Sequence, residues 1–165
     1  MNVLFKGTCT AMITPFTEDG IDFESLGRQI EYQIENGVEA LVILGTTGEA
    51  ATMTDEEYNA VAEYSLKKIN KRVKFILGTG SNCTRKAIEK SQYAEKLGAD
   101  GLLVVTPYYN KCTQNGLVKY YFDIADSVNI PILCYNVPAR TGVNILPQTM
   151  ARIAEHKNIW GIKEP

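Results

Sequence analysis

Histidine is almost missing from this chain: of 165 residues, only His156 carries an imidazole. That scarcity argues against histidine-based metal sites and against Ser-His-Asp triads. The four cysteines, Cys9, Cys83, Cys112 and Cys134, lie far apart and form no C-x-x-C pair. Neither a zinc ribbon nor a redox couple is therefore indicated, and free thiols are expected. Excess charge is missing as well. A formal net charge of −2 supplies no basic field for nucleic acid or an anionic membrane. No apolar run approaches the ~18 residues that span a bilayer; the longest are short, such as Leu41-Val42-Ile43-Leu44. The N-terminal MNVLFKGT has no signal-peptide core, so a cytoplasmic protein is expected. The rest is ordinary for a globular domain, 45% hydrophobic and 22% charged, in a length that fits one domain with its own core.

What is present is one unit repeated. Apolar runs recur at Thr8–Thr14, Ala40–Leu44, Val73–Leu77, Gly101–Val105, Pro131–Tyr135 and Ile159–Ile162. Their starts are roughly thirty residues apart, the span of a βαβ unit. Helical stripes lie between them. Phe23, Leu26, Ile30 and Ile34 share one face, with Asp22 as candidate N-cap and Gly37 as the stop. Thr54 and Glu57 form a capping box ahead of Tyr58, Val61, Ala62 and Ile69. Leu117, Tyr120, Tyr121 and Ile124 make another stripe, and Pro147 suits the first turn of a helix carrying Met150 and Ile153. Continuously apolar strands alternating with helices predict an α/β fold with a parallel sheet covered by helices. A (β/α) barrel and a doubly wound open sheet both satisfy this pattern. In either, chemistry gathers at the C-terminal ends of the strands.

Those ends carry polar groups. Gly45-Thr46-Thr47-Gly48-Glu49 reads either as a tight turn or as a nest of N–H groups for a carboxylate or phosphate; it lacks the lysine of a Walker loop. Gly78-Thr79-Gly80-Ser81-Asn82 is a second glycine-rich corner without the full dinucleotide fingerprint. Thr106-Pro107-Tyr108-Tyr109-Asn110 adds two phenols. Tyr135-Asn136-Val137-Pro138-Ala139-Arg140-Thr141-Gly142 adds a third phenol and a guanidinium suited to carboxylate. Lys163 closes the last run. Each alone reads as readily as a turn, a packed ring or a solvated cap. Together, at one end of one sheet, they point to a site.

The motifs GTTGE, TPYYN, YNVPARTG and GIKE, in this order and spacing, resemble the dihydrodipicolinate synthase family of Schiff-base lyases and aldolases, which includes N-acetylneuraminate lyase. The resemblance runs from ITPF at Ile13–Phe16 to the lysine strand. It implies a TIM (β/α)8 barrel that condenses pyruvate with L-aspartate 4-semialdehyde to 4-hydroxy-tetrahydrodipicolinate, in diaminopimelate and lysine biosynthesis. By position Lys163 resembles the amine that forms the imine, and Thr47 the ligand of the pyruvate carboxylate. Tyr135 resembles the proton donor and acceptor, with Thr46 and Tyr109 as relay partners. Tyr109 would reach into a neighbouring subunit, so a dimer is the least functional unit, and full-length members are dimers of dimers. Arg140 resembles the group that grips the semialdehyde carboxylate, which favours the synthase over the sugar-acid aldolases of the same family. No metal or organic cofactor is implied. The physical demand on the site is separate: only a neutral amine attacks a ketone, so the pocket must disfavour the ammonium of a group with ordinary pKa ~10.4.

Two departures from the family pattern shape the expectations. Tyr108 and Asn82 match the crevice where inhibited members bind lysine, but Asp55, Tyr58 and Lys86 replace the usual histidines and glutamate, so weak or absent feedback by lysine is expected. A TIM barrel has eight strands and about 250 residues, whereas this sequence shows only six apolar runs. Residues 1–165 are therefore expected to form one partial barrel domain lacking the last two βα units and the C-terminal helices. A catalytically silent fragment is the alternative from a different class, and an open binding domain holding phosphate at GTTGE is a third.

Overall fold

A strand buried on both faces must be apolar at every position, and the runs above meet that demand in space. The computed structural model describes residues 4–164; Met1–Val3 of the N-terminal reading and the closing Pro165 lie outside the described residues. In chain order the elements are β1 (Cys9–Ala11), β2 (Phe16–Thr17), β3 (Gly20–Ile21), α1 (Phe23–Glu35), β4 (Ala40–Ile43), α2 (Asp55–Ile69) and β5 (Lys74–Gly78). They continue with α3 (Thr84–Leu97), β6 (Gly101–Val105), α4 (Gln114–Asp126), β7 (Ile132–Tyr135), α5 (Pro138–Thr141), α6 (Pro147–Ile153) and β8 (Ile159–Lys163). Short 3-10 turns at Thr46–Gly48 and Ala50–Thr52 join β4 to α2. β2 and β3 form a small antiparallel hairpin apart from the main sheet.

The main sheet has the order β1-β4-β5-β6-β7-β8, and every neighbouring pair is parallel. Each strand is laid beside its predecessor, always on the same side. A doubly wound sheet reverses direction at a switch point, so this order selects the barrel alternative. The sheet is also curled. Laid flat, six strands about 4.8 Å apart would hold the outer two roughly 24 Å from each other. Instead Phe5, just before β1, meets Trp160 of β8 with ring centroids 5.3 Å apart. The result is a curled half-barrel.

Both faces of the sheet are apolar, and the period of two sorts them. Ala40, Val42, Ile76, Leu103 and Tyr135 face the concave side, where Leu4, Phe5 and Cys9 join them. Leu41, Ile43, Phe75, Leu77, Leu102, Val104, Ile132 and Cys134 face outward into the larger core beneath the helices. The expected caps are in place. Asp22 accepts from the Ser25 N–H at 2.9 Å, and Asn36, followed by Gly37 at φ +82, ends α1. The Thr54–Glu57 capping box is closed from both sides. Tyr121 is fully buried and donates to the Val104 carbonyl at 3.0 Å, tying α4 to β6. All four cysteines are free thiols. No helix among the described residues is long and apolar enough to cross a membrane.

Candidate functional site

The position of Lys163 depends on an irregularity. β7 and β8 start in register at Ile132 and Ile159, then shift by one residue, so that Leu133 pairs with Gly161 and Tyr135 with Lys163. Without the extra residue, Ile162 would stand opposite Tyr135. In a strand a one-residue slip exchanges the two faces, so this bulge is what sets Lys163 beside Tyr135 on the concave face. Its Nζ lies 3.8 Å from the centroid of the Tyr135 ring. Lys163 also comes within electrostatic reach of Cys9 on β1: burial pushes the Cys9 thiol up to about 11, and the Lys163 charge pulls part of that back. Among the described residues no carboxylate lies within ion-pair distance of Lys163 or Arg140.

A cavity of about 480 Å3 opens over the same strand ends. Thr46, Tyr135 and Arg140 line it, together with Asn82, Tyr108 and Lys86. Lys163, Thr47 and Tyr109 do not. Lys163 adjoins the cavity through the Tyr135 ring. Thr47 is exposed beside Thr46, and Tyr109 turns outward, 89% exposed at φ +72. Its positive φ belongs to a tight three-residue turn, closed by the Asn110 N–H on the Tyr108 carbonyl at 2.9 Å.

The GTTGE turn is more constrained than its sequence suggests. The Gly48 and Glu49 N–H groups bond back to the Gly45 and Thr46 carbonyls at 3.0 and 3.1 Å. Among the described residues, the exposed Thr46 and Thr47 N–H groups and hydroxyls have no such partner. Gly48 is buried, and a Cβ there would come within 3.2 Å of the Met12 carbonyl oxygen. The Thr14 hydroxyl donates to the Gly48 carbonyl at 2.8 Å and pins the turn to the chain that leaves β1.

Arg140 sits on α5, whose first-turn N–H groups, Arg140 and Thr141, bond to the Val137 carbonyl at 3.0 Å each. The buried Thr141 hydroxyl shares its one hydrogen between the Val137 and Val143 carbonyls at 3.1 and 3.0 Å and accepts from the Val143 N–H at 3.2 Å, so the loop is braced from inside. One residue in this region escaped the sequence reading. Asn136, 3% exposed, accepts from the Ile145 N–H at 3.0 Å and donates to Asn144 Oδ1 at 2.8 Å and to the Glu164 carboxylate at 3.0 and 3.2 Å. The only available signal was the polar pair of Asn136 and Glu164, each following a predicted site residue.

The far wall of the cavity carries the crevice residues. Asp55, Tyr58, Asn82, Lys86 and Tyr108 all line it. Lys90 joins them with Nζ 4.2 Å from the centroid of the Tyr58 ring. Partial burial holds the Lys90 ammonium below its usual range, Asp55 raises it and Lys86 lowers it further. Tyr58 is buried and donates to the Gly78 carbonyl at 2.8 Å. Among the described residues no three His, Cys, Asp or Glu side chains cluster as a metal site would need. His156 lies away from the cavity, with Nδ1 accepting from the Asn158 N–H at 3.1 Å and Nε2 facing Asp126 at 3.0 Å.

Comparison with known proteins bears on what this cavity is. The model of the dihydrodipicolinate synthetase family matches residues 4–165. The 4-hydroxy-tetrahydrodipicolinate synthase of Acetivibrio thermocellus is 55% identical over 161 residues, covering 98% of this chain and 55% of that protein. The protein of the same name from Geobacter metallireducens is 56% identical, covering 98% and 56%. The crystal structure of dihydrodipicolinate synthase from Thermotoga maritima superposes with a TM-score of 0.95 at 48% identity, covering 98% of this chain and 55% of that one. The chain spans about half the length of the curated relatives it matches.

Proposed function

The chain belongs to the dihydrodipicolinate synthetase family, and from that membership we propose that its cavity is the imine-forming site of a cytoplasmic 4-hydroxy-tetrahydrodipicolinate synthase. The observation that carries the reading is the pairing of Lys163 with Tyr135, whose ring lines a cavity that Arg140 also lines. The neutral Lys163 amine attacks the ketone carbon of pyruvate; a hydroxyl forms and leaves as water, giving an iminium. The iminium nitrogen carries a positive charge, and the face of the Tyr135 ring, 3.8 Å from Lys163 Nζ, favours that charge. Loss of a methyl proton gives the neutral enamine, whose carbon adds to the aldehyde of L-aspartate 4-semialdehyde and regenerates the iminium. Each step moves a proton. Tyr135 is the group that takes and returns it, with Thr46 beside it on the cavity wall.

Thr47 and the adjoining N–H groups hold the pyruvate carboxylate, and Arg140 holds that of the semialdehyde. Tyr109 completes the relay from a second copy of the chain, a role that its outward, exposed ring leaves open; the assembly is a homo-oligomer. The relatives described above are synthases, and the sugar-acid aldolase alternative gains no support from them. Borohydride reduction in the presence of pyruvate, followed by peptide mapping, tests the reading. A reduced pyruvyl adduct on Lys163 is expected. A folded sample with no adduct would leave family membership standing and reduce this chain to a silent fragment.

A further inference from the structure

The imine-forming reading gives the site two anchors, the nitrogen on β8 and the guanidinium on α5, and the new carbon–carbon bond requires them to stand at a fixed separation. Nothing among the described residues joins Arg140 to Lys163 directly. We infer that Asn136 is the positioning residue that fixes one anchor relative to the other. Its backbone N–H donates to the Lys163 carbonyl at 3.1 Å. Its side chain then reaches both ends of the problem. Oδ1 accepts from the Ile145 N–H, closing the loop that carries Arg140 at the point where it returns to the body of the protein. A backbone N–H can only donate, so this bond fixes which way the amide faces. Nδ2 therefore points its two hydrogens at Asn144 Oδ1 and at the carboxylate of Glu164, the residue after Lys163.

One buried side chain thus clamps the entrance of the loop, its exit and the end of β8. Gln114 at the start of α4 holds the exit from the other side, donating to the Asn144 carbonyl at 2.8 Å and accepting from the Leu146 N–H at 3.2 Å. Thr141 braces the loop internally, and the clamp decides where the loop sits. An error of about 1 Å between reacting groups costs about a hundredfold in rate. The backbone bond to Lys163 does not depend on the Asn136 side chain, so a change of that side chain acts mainly on the loop and on the second substrate that it holds. Pyruvate meets Lys163, Tyr135 and Thr47, none of which lies on the loop.

The test rests on the imine-forming reading and is arranged to separate the two. Asn136→Asp keeps the shape and the bond from Ile145 but sets a carboxylate against Glu164. Asn136→Asp with Glu164→Gln restores a donor–acceptor pair with the roles exchanged, and Asn144 meets it by turning its own amide. Each is measured beside the wild type for pyruvate trapping by borohydride and for product formed with L-aspartate 4-semialdehyde. Expected for N136D is trapping within about twofold of wild type, with kcat/KM for the semialdehyde reduced about a hundredfold; the double variant recovers most of that loss. A merely structural lesion would depress both readouts together and would not be rescued. N136D with unchanged semialdehyde turnover, equal loss in both readouts, or a double variant no better than the single overturns the inference while trapping in the wild type keeps the functional reading. Wild-type protein without an adduct overturns the reading, and the inference with it.

Discussion

Gly78 closes β5 against the backbone that leads into the Thr46–Thr47 turn, and replacing it with alanine tests how rigidly that approach is built. A methyl carbon on Gly78 would stand 2.2 Å from the Leu44 carbonyl oxygen, 2.7 Å from its carbon and 3.0 Å from the Gly45 nitrogen. All three are main-chain atoms, so no side chain can swing aside, and relief requires the segment to move by about an ångström. Leu44 has little freedom to give: it is 2% exposed and already left-handed at φ 58. Gly78 does not lie among the glycines of positive φ, so the penalty is steric rather than conformational. Overpacking of this kind costs about 1–3 kcal/mol, and the stiffer unfolded chain returns about 0.4–1 kcal/mol. The net loss, about 1.3 kcal/mol at the centre of those ranges, lowers Tm by about 3–5 °C in a chain of this size. The control is Gly161→Ala on β8, where the new methyl would meet only Leu133 Cδ1 at 3.5 Å, an ordinary contact, and where no loss is expected. Thermal unfolding followed by circular dichroism measures both variants. G78A should also need more pyruvate for half-maximal trapping, because the displaced segment runs straight into Thr46. A G78A melt within about 1 °C of wild type, or a G161A loss as large as that of G78A, would refute the steric argument.

Tyr135→Phe keeps the ring beneath the Lys163 nitrogen and removes only the hydroxyl. It should still trap pyruvate while product formation falls about 10²- to 10⁴-fold; Tyr135→Leu should lose both, and a Y135F variant with wild-type turnover would remove the phenol from the relay. Glu31, hydrogen-bonded by Arg72 and Lys68, has its carboxyl lowered from 4.5 to about 2. A depressed carboxylate adds stability above the unfolded pKa that is lost as pH falls through the folded one. Glu31→Gln should therefore narrow the gap to wild type between about pH 4.5 and 2 and in high salt, as read from urea midpoints. Lys86 and Lys90 put two ammonium groups on the crevice wall, so added L-lysine should leave product formation unchanged at concentrations that silence strongly inhibited relatives; an inhibition curve like theirs would contradict this.

The parts of the fold that were legible in the sequence are those whose chemistry repeats. Long aliphatic strands and stripes such as Leu117, Tyr120, Tyr121 and Ile124 signal their faces directly. α3 carries no such signal: its buried face is Ala87, Ser91 and Ala94, and its N-cap, Cys83, makes no side-chain capping bond. The strand run at Thr8–Thr14 shrinks to Cys9–Ala11, because beyond β1 the chain turns away to anchor the GTTGE corner. The barrel could be told from the doubly wound sheet only by strand order, which is a long-range property. In the site, residue types were readable and their directions were not. The bulge that aims Lys163 has no sequence mark beyond Gly161. Asn136 is hidden because its four side-chain bonds go to partners up to 28 residues away, and the outward direction of Tyr109 has no mark in its local sequence.

The meeting of Phe5 with Trp160 also bears on the order in which the molecule forms. Neighbouring strands in this sheet are neighbours in the chain, so the sheet can grow one strand at a time, each addition closing a short loop of modest entropic cost. The Phe5–Trp160 contact joins the two ends of that growth, closing a loop far longer than any between neighbouring strands. Cys9 lies just beyond Phe5, and Lys163 just beyond Trp160. The surroundings of the Lys163 amine are therefore the part of the sheet whose closure costs the most chain entropy, and a form that kept all its strands but lost this contact would leave that amine outside the site proposed for it.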